Sequence, residues 1–277
     1  MKQIIIIKQD GTEEAFNSGK LRRSLRRSGA SDTATEEVIG KIEKELKDGM
    51  TTSEIYKHAF EHLEHAERPV AARYSMKRAI LALGPSGYPF ESFIGEILKA
   101  KGYKNVKIGV MVKGACVEHE VDILAEYNGK KIGAEIKFHN KLGIASDLKV
   151  ALYVHARFED IRARAKKGGK ELINEDWLIT NTRFSKNAIK YGKCVGMKML
   201  SWNYPKGKGL QDLIEETGIH PITALTSLTS AEKVKLMQKE VVLCRNIEEN
   251  KGVLESIGLK GQKLQDIMKE SQALCKV

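Results

Sequence analysis

Two acidic residues and a lysine occupy a predicted β-hairpin in positions that suit a divalent cation. Asn128-Gly129 is typical of a two-residue type I′ turn, in which both residues have positive φ. If the strands pair from this turn without a bulge, Asp122 lies opposite Glu135, and Lys137 follows on the same face. Opposed Cβ atoms lie about 4.5–5.5 Å apart, where two like charges are destabilising. A cation would remove that repulsion, and carboxylate oxygens suit Mg²⁺ or Mn²⁺ better than zinc.

Alternation along the hairpin is consistent with the same register. One face is apolar and is expected in the core: Val121, Ile123, Ala125, Ile132, Ala134, Ile136 and Phe138. The other face is polar: Glu120, Asp122, Glu126, Lys131, Glu135 and Lys137. An ordinary amphipathic hairpin with a solvated polar face has the same pattern, so both interpretations stay open at this point. A cation between two carboxylates with an ammonium group beside it is the chemistry of phosphodiester hydrolysis.

Charge is unevenly distributed along the 277 residues, whose formal net charge is +11. Residues 85–205 hold 21 basic and 13 acidic side chains, which makes this segment the most positive part of the chain. Lysine and arginine bind phosphate backbones and release their counterions, so a basic surface around acidic metal ligands favours a nucleic acid as partner. Lysine-rich surfaces that serve only solubility are the alternative.

Composition argues against membrane and secreted classes. The apolar run at Ile4–Ile7 is too short for a signal peptide, and no stretch approaches the roughly 18 apolar residues of a membrane span. The four cysteines are scattered, which indicates neither a zinc cluster nor a disulfide framework. We therefore expect a cytoplasmic protein with reduced thiols.

A breaker cluster at residues 84–87 divides the chain. We expect a helical domain over residues 1–84, an α/β domain over 85–205 and a helical region over 206–277. The first segment should contain a short strand, a helix capped by Asn17, two further helices and a fourth helix from Pro69 to Leu83. The second should run helix, three strands, helix, strand, helix, strand. The fold class is thus α/β, or α+β overall, with a mixed sheet flanked by helices.

Residues 88–204 resemble the Mrr-like branch of the PD-(D/E)XK nuclease superfamily, which has the restriction-endonuclease-like fold. The resemblance rests on four features: Phe90-Glu91 leading a helix to Gly102-Tyr103, Val121-Asp122-Ile123, Glu135-Ile136-Lys137, and the segment from Trp177 to Ser185. It implies that Asp122, Glu135 and the Ile136 carbonyl hold the metal, and that Lys137 orients or activates water.

The resemblance also assigns Glu91, eleven residues before Gly102, to the helix glutamate that reaches the metal through water. Glu96 is a competing candidate, and an acidic residue near a helix N-terminus is also explained by the helix dipole. Three alternating side chains further along could contact a phosphate or simply form a helix surface: Tyr153, His155 and Arg157.

Residues 1–84 resemble the ATP-cone, a small nucleotide-binding module. The matching residues are Lys8-Gln9-Asp10-Gly11, Phe16, Lys20 and Ala72-Arg73-Tyr74. The resemblance implies ATP or dATP as an effector. The expected nucleotide-binding residues are Lys8, Asp10, Gly11, Phe16, Lys20, Arg22, Arg23 and Tyr74. Gln9 departs from the usual basic residue, and part of the arginine cluster fits equally well on the solvated face of a helix.

The leading hypothesis is a Mg²⁺-dependent DNA endonuclease, expected as a homodimer, that is modulated by an adenine nucleotide. A nucleotide-responsive DNA-binding regulator with an unused nuclease fold and a structure-selective junction resolvase are the alternatives. Residues 257–261 are similar to a helix-hairpin-helix turn, so the C-terminal region is a candidate for DNA contact.

Overall fold

The computed structural model describes residues 3–9, 11–84, 86–141, 143–166, 168 and 173–275. Within this part of the chain, the residues up to 79 pack with those from 220 onward in one compact unit, and residues 80–219 form a second. None of the described helices is both long and apolar enough to cross a bilayer.

The first unit begins with a small antiparallel ribbon followed by helices. Its elements up to residue 81 are β1 (Ile5–Ile7), β2 (Glu13–Ala15), α1 (Ser18–Arg27), α2 (Asp32–Glu45), α3 (Thr52–Ala66), α4 (Arg68–Tyr74) and α5 (Met76–Leu81). Asn17 caps α1 by accepting a hydrogen bond from the Lys20 N–H at 3.1 Å. Thr51 and Glu54 form the reciprocal capping box of α3. The expected fourth helix is interrupted at Ser75 and forms α4 and α5.

The second unit is a mixed sheet between helices. Its elements are α6 (Tyr88–Ala100), β3 (Lys104–Lys113), β4 (Glu118–Tyr127), β5 (Lys130–Lys137), β6 (Ala145–Ser146), α7 (Leu148–Lys166), β7 (Glu175–Thr180), β8 (Arg183–Phe184), α8 (Lys186–Cys194), β9 (Lys198–Leu200) and α9 (Leu210–Thr217). Among the described residues the main sheet has five strands in the order β3-β4-β5-β7-β9. The first three are antiparallel, and β5, β7 and β9 are parallel.

The predicted hairpin turn and register are confirmed. Asn128 and Gly129 have φ of 49° and 75°, as a type I′ turn requires. Ile123 pairs with Ala134, which is the register counted from the turn.

The polar face of the hairpin is covered by α7 around Gly133, whereas Glu120 and Lys131 on the same face are exposed. Gly133 lies on that face, and a Cβ there would come within 2.4 Å of Phe158 on α7. The other face is covered by α6, where Gly95 approaches Ile108. The sheet is therefore covered on both faces, as the parallel crossovers through α7 and α8 require.

The C-terminal segment completes the first unit. Its elements are two short 3₁₀ turns (Ile222–Ala224 and Cys244–Asn246) and the helices α10 (Ser230–Gln238), α11 (Lys251–Ser256) and α12 (Gly261–Cys275). α12 packs on α4. α9, at residues 210–217, packs instead on α6 in the second unit, so the described chain changes units after residue 219 rather than 205. The expected α/β class, with a mixed sheet flanked by helices and a helical C-terminus, is confirmed.

Candidate functional site

Asp122 lies where β4 and β5 stop pairing. The ladder between these strands runs as far as Ile123 and Ala134, one position before Asp122. The Ile136 N–H donates to Oδ2 of Asp122 at 2.6 Å instead of to a strand carbonyl. The opening of the hairpin therefore fixes the Asp122 side chain and directs it toward the neighbouring strand.

Glu135 is buried beside it, with 3% of its surface exposed. Its strand is paired on the other side with β7, where Leu178 is the partner of Glu135. Oε1 of Glu135 lies 2.7 Å from Nζ of Lys137, and Oε2 accepts a hydrogen bond from Arg157 on α7. Two cations therefore compensate the charge of Glu135: Lys137, which was expected beside the carboxylates, and Arg157 from α7.

Arg157 and Tyr153 bring α7 into the site. Nη1 of Arg157 also donates to the Glu120 carbonyl at 2.8 Å, which joins α7 to β4. The Tyr153 ring lies over both cations, with its centroid 4.6 Å from the guanidinium carbon of Arg157 and 5.7 Å from Nζ of Lys137. Sequence reasoning left these residues as possible helix surface. Tyr153 and Arg157 are four residues apart, so they lie on one face of the helix, but this spacing does not show what that face covers.

Glu91 extends the cluster from the first turn of α6. Burial raises the pKa of Glu91 to about 7, and the negative charges of Asp122, Glu120 and Glu135 add to the shift while Lys137 opposes it. Burial, followed by the charge of Glu135, likewise raises the pKa of Asp122 to about 6. The Ile136 N–H, Lys137 and Arg157 act in the opposite direction and lower this pKa. The site thus concentrates more negative charge than its two cations compensate.

The expected metal ligands Asp122 and Glu135 already have protein partners in this geometry. Within the described residues, no group of three or more His, Cys, Asp or Glu side chains is arranged to hold a metal ion. Both Glu135 oxygens contact cations, and one Asp122 oxygen accepts the Ile136 N–H. The residue types and the raised carboxyl pKa values nevertheless fit a divalent cation, since such an ion would relieve the concentrated charge.

Two lysines of the first unit converge on one acidic residue. Nζ of Lys8 and Nζ of Lys20 each lie 2.9 Å from the same oxygen, Oε2 of Glu14. The Lys20 hydrogen bond, followed by that of Lys8, holds the pKa of Glu14 below its usual value. Gly11, with φ of 81°, closes the preceding turn through an N–H donated to the Lys8 carbonyl. Asp10 lies outside the described residues.

The other expected nucleotide residues are dispersed. Arg22 forms two hydrogen bonds of 2.7 Å to Glu36 on α2, and Arg23 is exposed. Phe16 packs against the core of the first unit. Tyr74 stacks on Tyr56 at 5.0 Å between ring centroids, and its burial raises the pKa of its hydroxyl. The structure thus brings Lys8 and Lys20 together but holds Arg22 and Tyr74 in contacts of their own.

Two cavities of the second unit lie at the turn end of the hairpin. Their volumes are 320 and 390 Å³, and Glu126 and Lys131 line both. Asn105, which sequence reasoning did not select, lines the smaller one and donates to Glu126 at 2.8 Å. Neither cavity is lined by Glu91, Asp122 or Glu135.

Comparison with known proteins identifies two segments whose bounds lie close to the points where the chain changes units. Residues 4–81 match the model of the ATP cone domain, which confirms that part of the resemblance and supports binding of an adenine nucleotide effector. Residues 220–275 match the model described as AF1548-like, C-terminal.

Similar whole proteins have no assigned activity. An uncharacterized protein of Archaeoglobus fulgidus is 34% identical over 180 residues, which cover 65% of this chain and 98% of the relative. The crystal structure of a protein of unknown function, AF1548, is 32% identical, with a TM-score of 0.56 over 69% of this chain and 98% of that chain. Can2 from Sulfobacillus thermosulfidooxidans, solved with cyclic tetra-adenylate, is 12% identical with a TM-score of 0.33, over 72% of this chain and 52% of that chain. A TM-score of that size does not indicate a shared fold.

Proposed function

This chain belongs to the family of the uncharacterized Archaeoglobus fulgidus protein, and we propose that it is a divalent-metal-dependent DNA endonuclease regulated by an adenine nucleotide. The observation that carries the proposal is the convergence of Glu91, Asp122, Glu135 and Lys137 at the open end of one hairpin. The Mrr-like resemblance of residues 88–204 supports the same chemistry.

Asp122, Glu135 and the Ile136 carbonyl are the proposed metal ligands, and Glu91 is close enough to influence the ion electrostatically. A bound Mg²⁺ or Mn²⁺ would polarise a phosphoryl oxygen and acidify water at that position. Binding requires Glu135 to exchange at least one of its two cation contacts for the ion. Burial is the main cause of the raised pKa values of Glu91 and Asp122, and repulsion from neighbouring carboxylates adds to both. A cation would remove that repulsion, which supports this exchange.

Lys137 and Arg157 would then face the substrate. A cation released from Glu135 can pair with a phosphate oxygen, where negative charge grows during hydrolysis. Arg157 is suited to this role because a guanidinium binds two phosphate oxygens at once. The excess of eight basic over acidic side chains in residues 85–205 would attract the rest of the DNA backbone. Cutting both strands needs two such sites, so we include a homodimer in the proposal.

The nucleotide would bind at the Lys8 and Lys20 pair of the ATP cone domain. The Glu14 carboxylate lies between the two ammonium groups, where a phosphate oxygen of ATP or dATP could replace it. Nothing in the sequence resembles an ATP-driven translocase, so the nucleotide is proposed as an effector and not as a source of energy through hydrolysis.

Supercoiled plasmid provides the test. Purified protein would be incubated with Mg²⁺ or Mn²⁺, with and without ATP, and nicked and linear products would be quantified. We expect Asp122→Asn and Lys137→Ala each to lower the rate by at least about 100-fold, comparable to the loss of one preorganised electrostatic group. Lys193→Ala on α8 is the matched control for loss of one exposed lysine. Equal nicking by all four proteins would refute the assignment.

A DNA-binding regulator is the second candidate, because Lys137 and Arg157 already neutralise Glu135 without any metal. Under that hypothesis, gel shifts would detect nucleotide-responsive DNA binding, and no divalent metal would produce cleavage.

A further inference from the structure

Two cysteines of the first unit lie side by side near the end of α12. Cys244 is fully buried in the second 3₁₀ turn, and its Sγ lies 3.1 Å from the Pro221 carbonyl oxygen. The Cys244 carbonyl accepts a hydrogen bond from Oγ of Ser271 at 2.7 Å. Cys275 follows Ser271 by four residues, so it lies one turn further along the same face of α12. This geometry places Cys275 beside the turn that holds Cys244, close enough for Cys244 to be the largest influence on the pKa of Cys275.

The two thiols differ in access and in charge. Cys275 is partly exposed and lines a cavity of 180 Å³ together with Arg245 and Ser271. The Cys244 hydrogen bond lowers the pKa of Cys275 to about 5, and His220 and Arg245 act in the same direction against the effect of burial. Burial raises the pKa of Cys244. Cys275 is therefore the nucleophile of the pair, since thiolates react and thiols do not.

We propose that Cys275 and Cys244 are a peroxide-oxidisable pair, in which Cys275 attacks a hydroperoxide and Cys244 closes a disulfide. In the first step the Cys275 sulfur forms an S–O bond as the O–O bond breaks, leaving a sulfenic acid and, with hydrogen peroxide, one water after proton uptake. In the second step the Cys244 sulfur bonds to the Cys275 sulfur, and the sulfenic oxygen leaves as a second water. Both sulfurs are oxidised, and one peroxide is reduced.

The disulfide would fasten the end of α12 to the turn at residues 244–246. Because the bond closes a loop of about 30 residues, it would constrain the unfolded chain. We expect the melting transition of the first unit to rise by roughly 10 °C on oxidation. The inference is independent of the nuclease proposal, because it involves residues of the first unit alone.

Thiol reactivity tests the first half of the proposal. The full-length protein would be treated with limiting iodoacetamide at pH 6.5 and pH 8.0, and each cysteine would be followed by peptide mass spectrometry. An ordinary exposed thiol slows about 20-fold over this range, because its thiolate fraction falls. Cys275 should change less than twofold, and Cys194 is the exposed comparison thiol. A Cys275 that slows as much as Cys194 would overturn the assignment.

Disulfide formation tests the second half. After treatment with hydrogen peroxide and alkylation of remaining thiols, the peptides containing residues 244 and 275 should be joined, with a mass two hydrogens below their sum. Cys275→Ser and Cys244→Ala should each abolish the joined species and the shift in melting temperature, and Cys194→Ser should keep both. The wild-type measurement stands even if Cys244→Ala folds poorly. Sulfenic acid at Cys275 without the joined species, or joining through Cys116 or Cys194, would refute the pair.

Discussion

Replacing Arg157 tests whether the cluster around Glu135 is an interdependent charge network. Arg157→Met would keep much of the side-chain volume but remove the guanidinium that bonds to Glu135 and to the Glu120 carbonyl. The Glu135 side chain is only 4% exposed, so water cannot replace the lost partner efficiently. Lys137, at 2.7 Å, would remain as its single counterion.

The magnitude follows from the burial of Glu135. Removing one partner of a buried ion pair costs about 3–5 kcal/mol when the remaining charge is left alone. Because Lys137 still compensates part of the charge, we expect the free energy of unfolding to fall by about 2–3 kcal/mol at pH 8.

Urea denaturation followed by tryptophan fluorescence is the assay, since Trp177 and Trp202, which are the two tryptophans of the chain, both lie in the second unit. Arg164→Met, on the exposed side of the same helix, should stay within about 0.5 kcal/mol of wild type. The double variant Arg157→Met with Glu135→Gln should regain part of the loss, because no unpaired carboxylate remains. A loss below about 1 kcal/mol would show that Glu135 does not depend on the Arg157 ion pair.

Three further predictions concern the carboxylates, the sheet and the nucleotide module. Glu91→Gln should stabilise the second unit by about 1 kcal/mol at pH 8, a value reduced for partial exposure, and should have no effect at pH 4. The reason is that the pKa of Glu91 is raised, so its ionised form destabilises the fold as pH rises through about 7. Urea titrations at both pH values check the sign. Gly133→Ala should lower the free energy of unfolding by about 1–3 kcal/mol, because its Cβ would overlap Phe158. Gly129→Ala should strain only the turn, and thermal melts distinguish the two variants. Lys20→Ala should weaken ATP binding about 10- to 100-fold, because a charge-assisted contact to phosphate is lost. Calorimetry measures this change, and the control variant Lys57→Ala on α3 should bind ATP with wild-type affinity.

Local features of the chain were readable from the sequence because their causes are local. The Asn128-Gly129 turn determines the hairpin register, and the Thr51 capping box determines where α3 begins. The order of elements in the second unit could be predicted from the periodic spacing of apolar residues, which agrees with the helices and strands of the fold. The position of Asp122 and Glu135 on neighbouring strands could therefore be predicted.

Longer-range features could not be predicted in this way. Period-two alternation marks Glu135 as polar, but its burial depends on Gly133 allowing α7 to approach the sheet. The ion pair with Arg157 joins residues 22 positions apart, and no local pattern links them. The separation of the strands at Asp122 is likewise a tertiary effect, because the unpaired Ile136 N–H is satisfied by a side chain.

If Asp122 and Glu135 share a divalent cation, titration with Mn²⁺ followed by electron paramagnetic resonance detects that ion directly. We predict that the wild-type protein binds Mn²⁺ at this site and that Asp122→Asn and Glu135→Gln each weaken that binding at least about tenfold, which corresponds to 1.4 kcal/mol. Equal Mn²⁺ affinity in the wild type and both variants would contradict the account.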